Sequence, residues 1–131
     1  MKALVISADP DVRHQLVVAL RSAGRQASDQ WEFLEASNGI EGIRVAWREL
    51  PDLVVADEIA SGAGAFATAK DLRGQMRPFP GAIIIVLARP HDAWLARWAG
   101  ADAWVTKPVD PFELADHVVR LTGRQTVEEG A

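Results

Sequence analysis

Cysteine is absent from the 131 residues, which excludes disulfides, thiol nucleophiles and thiolate metal sites. No apolar run approaches the roughly 18 to 20 residues that a membrane helix needs. The apolar run behind Met1-Lys2 lasts only from Ala3 to Ile6, so the amino terminus does not read as a signal peptide. Cations are too dispersed for a nucleic-acid footprint. The 14 Lys and Arg are scattered from Lys2 to Arg124 in a chain of net charge −4, and no basic stripe forms. His14, His91 and His117 lack the spacing of metal ligands. No internal repeat or linker divides the chain, and its length is that of one domain. These absences set the expectation of a cytoplasmic protein with no direct contact to membrane or nucleic acid.

What is present centres on Pro51-Asp52-Leu53-Val54-Val55-Ala56-Asp57. Four apolar residues between a turn-prone pair and a carboxylate are too short for a helix and right for a fully buried strand. Such strands belong to parallel sheets covered by helices on both faces. Three similar runs, Ala3 to Ile6, Ala82 to Ala88 and Ala103 to Thr106, read the same way, the second of them, the most apolar, as the central strand. Trp31 to Ala36 partly alternates, as in an edge strand with one solvated face.

Helical spacing fills the intervals. Asp9 as N-cap and Pro10 as first residue open a helix through Val12, Leu16, Val17 and Leu20, which Gly24 closes. After the Ser37-Asn38-Gly39 turn, Ile40, Ile43, Ala46, Trp47 and Leu50 line a second helix, ended by Pro51. Phe66, Ala69, Leu72 and Met76 make a third, stopped by Pro78 and Pro80. Asp92 to Ala99 form a short fourth helix closed by Gly100. Asp110-Pro111 open a fifth through Phe112, Leu114, Val118 and Leu121, ended by Gly123 before a polar, frayed tail. Five strands alternating with five helices predict an α/β fold: a doubly wound, five-stranded parallel sheet in the flavodoxin-like order 2-1-3-4-5, with helices on both faces.

In that order ligands and chemistry collect beyond the carboxyl ends of the strands. The rim then holds Ser7-Ala8-Asp9, Asp57-Glu58, Ala88-Arg89 and Thr106-Lys107-Pro108, with Asp57, Lys107 and Asp9 as the chemically active candidates. A carboxylate facing a lysine is read two ways: as a nucleophile beside a point charge for phosphate oxygens, or as a structural ion pair. A cis Lys107-Pro108 bond would fix the direction of the lysine. Ser61-Gly62-Ala63-Gly64-Ala65 is glycine-rich, but no GKS/T follows, and a plain loop is the simpler reading.

Over residues 2 to 122 the chain resembles the response-regulator receiver domains of two-component signalling. The resemblance rests on V-I-S-A-D-P-D-V-R at Val5 to Arg13, on Glu35 to Gly39, on Pro51 to Asp57, and on G-A-D-A-W-V-T-K-P at Gly100 to Pro108. It implies a receiver-like domain over residues 1–122, followed at 123–131 by a tail or the start of a linker. By resemblance Asp57 matches the phosphoacceptor and Lys107 the lysine that contacts the phosphoryl group. Ile59 matches the position whose backbone carbonyl binds the metal, and Trp104 the aromatic switch. The switch hydroxyl aligns with Ala88, and the acidic pair that holds magnesium aligns with Ser7 and Ala8, neither a carboxylate. Asp9, one residue late, is the remaining side-chain candidate for the metal beside Asp57, and its alternative role is the helix cap.

Magnesium wants oxygen ligands, one or two of them carboxylates, so these departures imply weak magnesium binding and no other cofactor. They also imply a non-enzymatic pseudo-receiver that works through protein contact. The alternative is a conventional receiver phosphorylated on Asp57 by a histidine kinase in a phosphorelay. Partners implied by the family are a histidine kinase or another signalling protein, and a second copy through the helix 4–strand 5–helix 5 face. Trp94 and Trp98 share a helix face, either filling space or offering a partner surface. A cofactor-binding flavodoxin is disfavoured by Ser7-Ala8-Asp9-Pro10, which is no phosphate loop. A cobalamin domain is disfavoured because no histidine follows Asp57 in a D-x-H-x-x-G loop.

Overall fold

Residues 1–26, 31–58 and 64–123 are described by a computed structural model of the chain. The strands are β1 (Lys2–Ile6), β2 (Glu32–Ala36), β3 (Leu53–Asp57), β4 (Ala82–Leu87) and β5 (Ala103–Thr106), and all pairings are parallel. Their order is β2-β1-β3-β4-β5, as the alternation predicts. β3 is the middle strand, and β4, expected at the centre, lies between it and β5.

Period-two alternation divides the core. Leu4, Ile6, Val54, Ala56, Ile83, Ile85 and Leu87 pack on one face with α2 (Gly39–Glu49), α3 (Ala65–Arg73) and α4 (Ala93–Ala99). Ala3, Val5, Leu53, Val55, Ile84, Val86, Ala103 and Val105 pack on the other with α1 (Pro10–Gln26) and α5 (Pro111–Thr122). A strand buried on both faces has no polar position to spare, which is why these runs are continuous rather than alternating. Each Val, Leu or Ile so buried contributes about 1.5–3 kcal/mol.

Four helix expectations need correction. α1 does not stop at Gly24 but runs to Gln26, because a glycine near a helix end is permissive rather than obligatory as a stop. α2 buries Gly39, Gly42, Val45 and Ala46, while Ile40 and Trp47 are exposed. Gly42 is the reason: an added Cβ would lie 2.3 Å from Ile6 Cδ1, so β1 approaches α2 over the glycine face. Leu50 is not a helix residue but its left-handed C-cap at φ 47°, set before Pro51. α3 ends at Arg73 with Gly74 as cap, which leaves Met76 outside the helix and fully exposed. The other boundaries follow the sequence closely. Asp110 caps α5 by accepting from the Phe112 amide at 2.8 Å, and a 3-10 turn, Pro90–Asp92, leads into α4.

Arg73 ties the base of α3 to the β5 approach. Its guanidinium donates to the Gly100 carbonyl at 3.1 Å and the Phe79 carbonyl at 2.5 Å, and pairs with Asp102 at 2.5 Å. Asp102 in turn accepts from the Ile83 amide at 2.8 Å. Positive-φ Gly100 makes the turn possible, at φ 92°, where a side chain would be strained.

Candidate functional site

Parallel strands deliver their carboxyl ends to one rim, and there Ser7, Asp57 and Lys107 meet. Ser7 follows β1 directly and is fully buried; Asp57 is the last residue of β3 and only 1% exposed. Ser7 Oγ donates to Asp57 Oδ2 at 2.8 Å, and Lys107 Nζ lies 2.9 Å from Asp57 Oδ1. A carboxylate taken out of water needs such donors, since an uncompensated buried charge costs several kcal/mol.

Each donor is itself aimed. The Ser7 hydroxyl accepts from the Asp9 amide at 3.1 Å, which leaves its proton for Asp57. Arg13 Nη1 donates to the Ser7 carbonyl at 2.7 Å, and Arg13 Nε to Glu35 Oε1 at 3.0 Å. Lys107 hangs from β4 through its amide, which donates to the Leu87 carbonyl at 2.9 Å. Its peptide bond to Pro108 is cis, as expected.

The remaining candidates are placed as follows. Asp9 is exposed, and its Oδ1 accepts from the Asp11 amide at 2.8 Å, the geometry of an N-cap. Ala88 presents a methyl group, and its amide donates to Glu58 Oε1 at 2.8 Å. Trp104 is half-buried, with the Arg97 guanidinium 5.5 Å from its ring centroid. Ile59 and Ser61 lie outside the described residues. Among the described residues no group of three or more His, Cys, Asp or Glu side chains could hold a metal ion, and no helix is long and apolar enough to cross a membrane.

Glu58, expected on the rim without a role, and Arg13, not expected there, both belong to this site. Each had a signal: Glu58 directly follows Asp57, and Arg13 sits in the first turn of a helix that starts at the rim. Neither signal names a partner, because Ala88 and Glu35 lie 30 and 22 positions away in the chain. Chemically the site offers one buried carboxylate with a hydroxyl on one oxygen and an ammonium on the other. The ammonium, on a side chain about a third exposed, faces the rim as a point charge for an anion.

No family model matches the chain. An uncharacterised response regulatory protein of Mycobacterium tuberculosis is 31% identical over 121 residues, covering 92% of this chain and 90% of the relative. PilH of Pseudomonas aeruginosa is 29% identical over 116 residues, 86% of this chain and 90% of its own. Among solved structures, a response regulator from Chloroflexus aurantiacus superposes with a TM-score of 0.82 at 24% identity, over 94% of this chain and 98% of the other. The receiver domain of a P. aeruginosa sensor histidine kinase, with a magnesium ion coordinated in its active-site cleft, reaches 0.79 at 22% identity over 93% and 97%.

Proposed function

The chain belongs to the response-regulator receiver family, and from that premise we propose that it is a pseudo-receiver, a signalling module that acts through protein contact without needing phosphate on Asp57. One observation carries the reading: the Ser7 hydroxyl and the Lys107 ammonium occupy the two oxygens of Asp57, and Ser7 and Ala8 stand where the family has its metal-binding carboxylates. Asp57 keeps the phosphoacceptor position and Lys107 the phosphate-contacting one. Ala88 at the switch position has no hydroxyl to follow a phosphoryl group.

The donor set does not fit magnesium. That ion asks for near-octahedral oxygen ligation, with one or two carboxylates beside waters and phosphate. Here the Ser7 hydroxyl is committed to Asp57 and the Asp9 carboxylate to its own helix. Phosphoryl transfer depends on the metal to neutralise developing charge, so the same substitutions that discard the ligands lower the capacity to accept phosphate. What this chain's residues do instead is neutralise Asp57 internally. The partner is a histidine kinase or another signalling protein, with a second copy through α4, β5 and α5 as the family's alternative.

The test is incubation with a small phosphodonor such as acetyl phosphate in millimolar magnesium, followed by phosphate-affinity electrophoresis. The pseudo-receiver stays unlabelled, as does Asp57→Asn. Magnesium-dependent labelling that Asp57→Asn abolishes would establish a conventional receiver instead.

A further inference from the structure

We propose that the α3–α4 face is a docking surface for an acidic protein segment carrying apolar side chains. Trp94 and Trp98 are 62% and 57% exposed, one helical turn apart on α4 and therefore side by side. They do not fill the core, because the residues of α4 that face inward are the small Ala96 and Ala99, 0% and 1% exposed. Two large indoles left in water on one short helix are a strong hydrophobic cost unless something covers them.

Their direction selects the face. Lys70 of α3 places its Nζ 4.3 Å from the Trp98 ring centroid, so Trp98 leans across α3 and away from β5. On the β5 side the half-buried Trp104 carries Arg97 over its own ring. The aromatic surface thus lies at the α3–α4 boundary, outside the α4–β5–α5 face.

Charge selects the occupant. Residues 64–102 hold five cations, Lys70, Arg73, Arg77, Arg89 and Arg97, against three carboxylates, Asp71, Asp92 and Asp102, the last of which pairs with Arg73. Asp92 is buried beside Arg89 at 3.6 Å and offers nothing outward. In a chain of net charge −4, this segment has the opposite sign from the rest. Lys70 resting on the Trp98 ring gives the aromatic platform a positive edge, and its complement has carboxylates beside aliphatic or aromatic anchors. A nucleic-acid strand would also stack on indoles, but it calls for a positively charged groove that tracks its backbone, and one lysine over the Trp98 ring is not such a groove.

The surface does not involve Asp57, so it is tested apart from the pseudo-receiver reading. The full chain is titrated with a synthetic peptide of alternating Glu and Leu, and tryptophan emission is followed. The expected result is a saturable blue shift that weakens as salt is raised, about tenfold weaker binding in Trp98→Ala, and loss in Lys70→Glu. A Lys-Leu peptide should then bind Lys70→Glu in preference to the parent chain. Circular dichroism melts confirm that both exposed-site variants fold. Four outcomes would overturn the proposal: equal binding of the Lys-Leu peptide by the parent chain, tighter binding of a single-stranded oligonucleotide, an emission shift that instead follows concentration-dependent self-association, or no shift with any peptide.

Discussion

Ser7 and Asp57, fifty positions apart in sequence, share a buried hydrogen bond of 2.8 Å in which the serine hydroxyl donates to the carboxylate. On the proposed reading this donor stands at a position that the family gives to an acid, which would reverse the electrostatics around Asp57. A second carboxylate would repel it and call for a cation between them; a hydroxyl and an ammonium satisfy it as it stands.

Ser7→Ala should therefore destabilise the fold. A hydrogen bond to a charged group contributes about 1.5–3 kcal/mol, and the cavity left by one oxygen is small. Urea unfolding should show a loss in that range with an unchanged slope. A change below about 0.5 kcal/mol, the level of an ordinary surface substitution, would mean that the hydroxyl does not hold Asp57.

Glu58→Ala should release the amide of Ala88, which donates to Glu58 Oε1 at 2.8 Å. Hydrogen exchange at Ala88 is expected to accelerate, while exchange within β3 stays slow. Unaltered exchange at Ala88 would show that Glu58 does not cap the end of β4.

At the opposite end of the sheet, Lys2 Nζ lies 3.2 Å from Glu49 Oε1. Glu49 has its carboxyl held below the usual 4.5, first by the Lys2 hydrogen bond and then by Arg48. A depressed folded-state value means that the contribution is present above the unfolded value and is lost as the pH falls through the folded one. Titration of the Glu49 side-chain signal by NMR should give a value under 4.5 that climbs in Lys2→Met. Since both side chains are about a third exposed and screened by water, stability should hardly respond; a carboxyl that does not move would remove the Lys2 contact from the account.

The fold was legible in the sequence because four of its five strands are apolar runs bounded by turn signals. Asp110-Pro111 and Gly100 likewise behave as their residue types dictate. Legibility failed where tertiary contact overrides pattern. Ile40 and Trp47 carry the helical spacing of a core face, yet α2 turns Gly42 inward because Ile6 needs the room. The pairing of Asp57 with Lys107 could be inferred from the rim, since topology alone brings those strand ends together. That Ser7 donates to Asp57, that Glu58 reaches Ala88 and that Arg13 holds the Ser7 carbonyl could not. Those are side-chain directions across strands, and local spacing does not encode them. The exposure of Trp94 and Trp98 likewise depended on what packs beneath α4, which proved to be alanine.

The central claim is that Asp57 is neutralised within the chain rather than by a metal, and calorimetric titration with magnesium tests it most directly. The parent chain should give no saturable heat up to about millimolar magnesium, the range in which weak oxygen-ligand sites still bind. Ser7→Asp with Ala8→Asp, which places carboxylates at both positions, should create a site that Asp57→Asn abolishes. Saturable magnesium binding by the parent chain, lost in Asp57→Asn, would contradict the account.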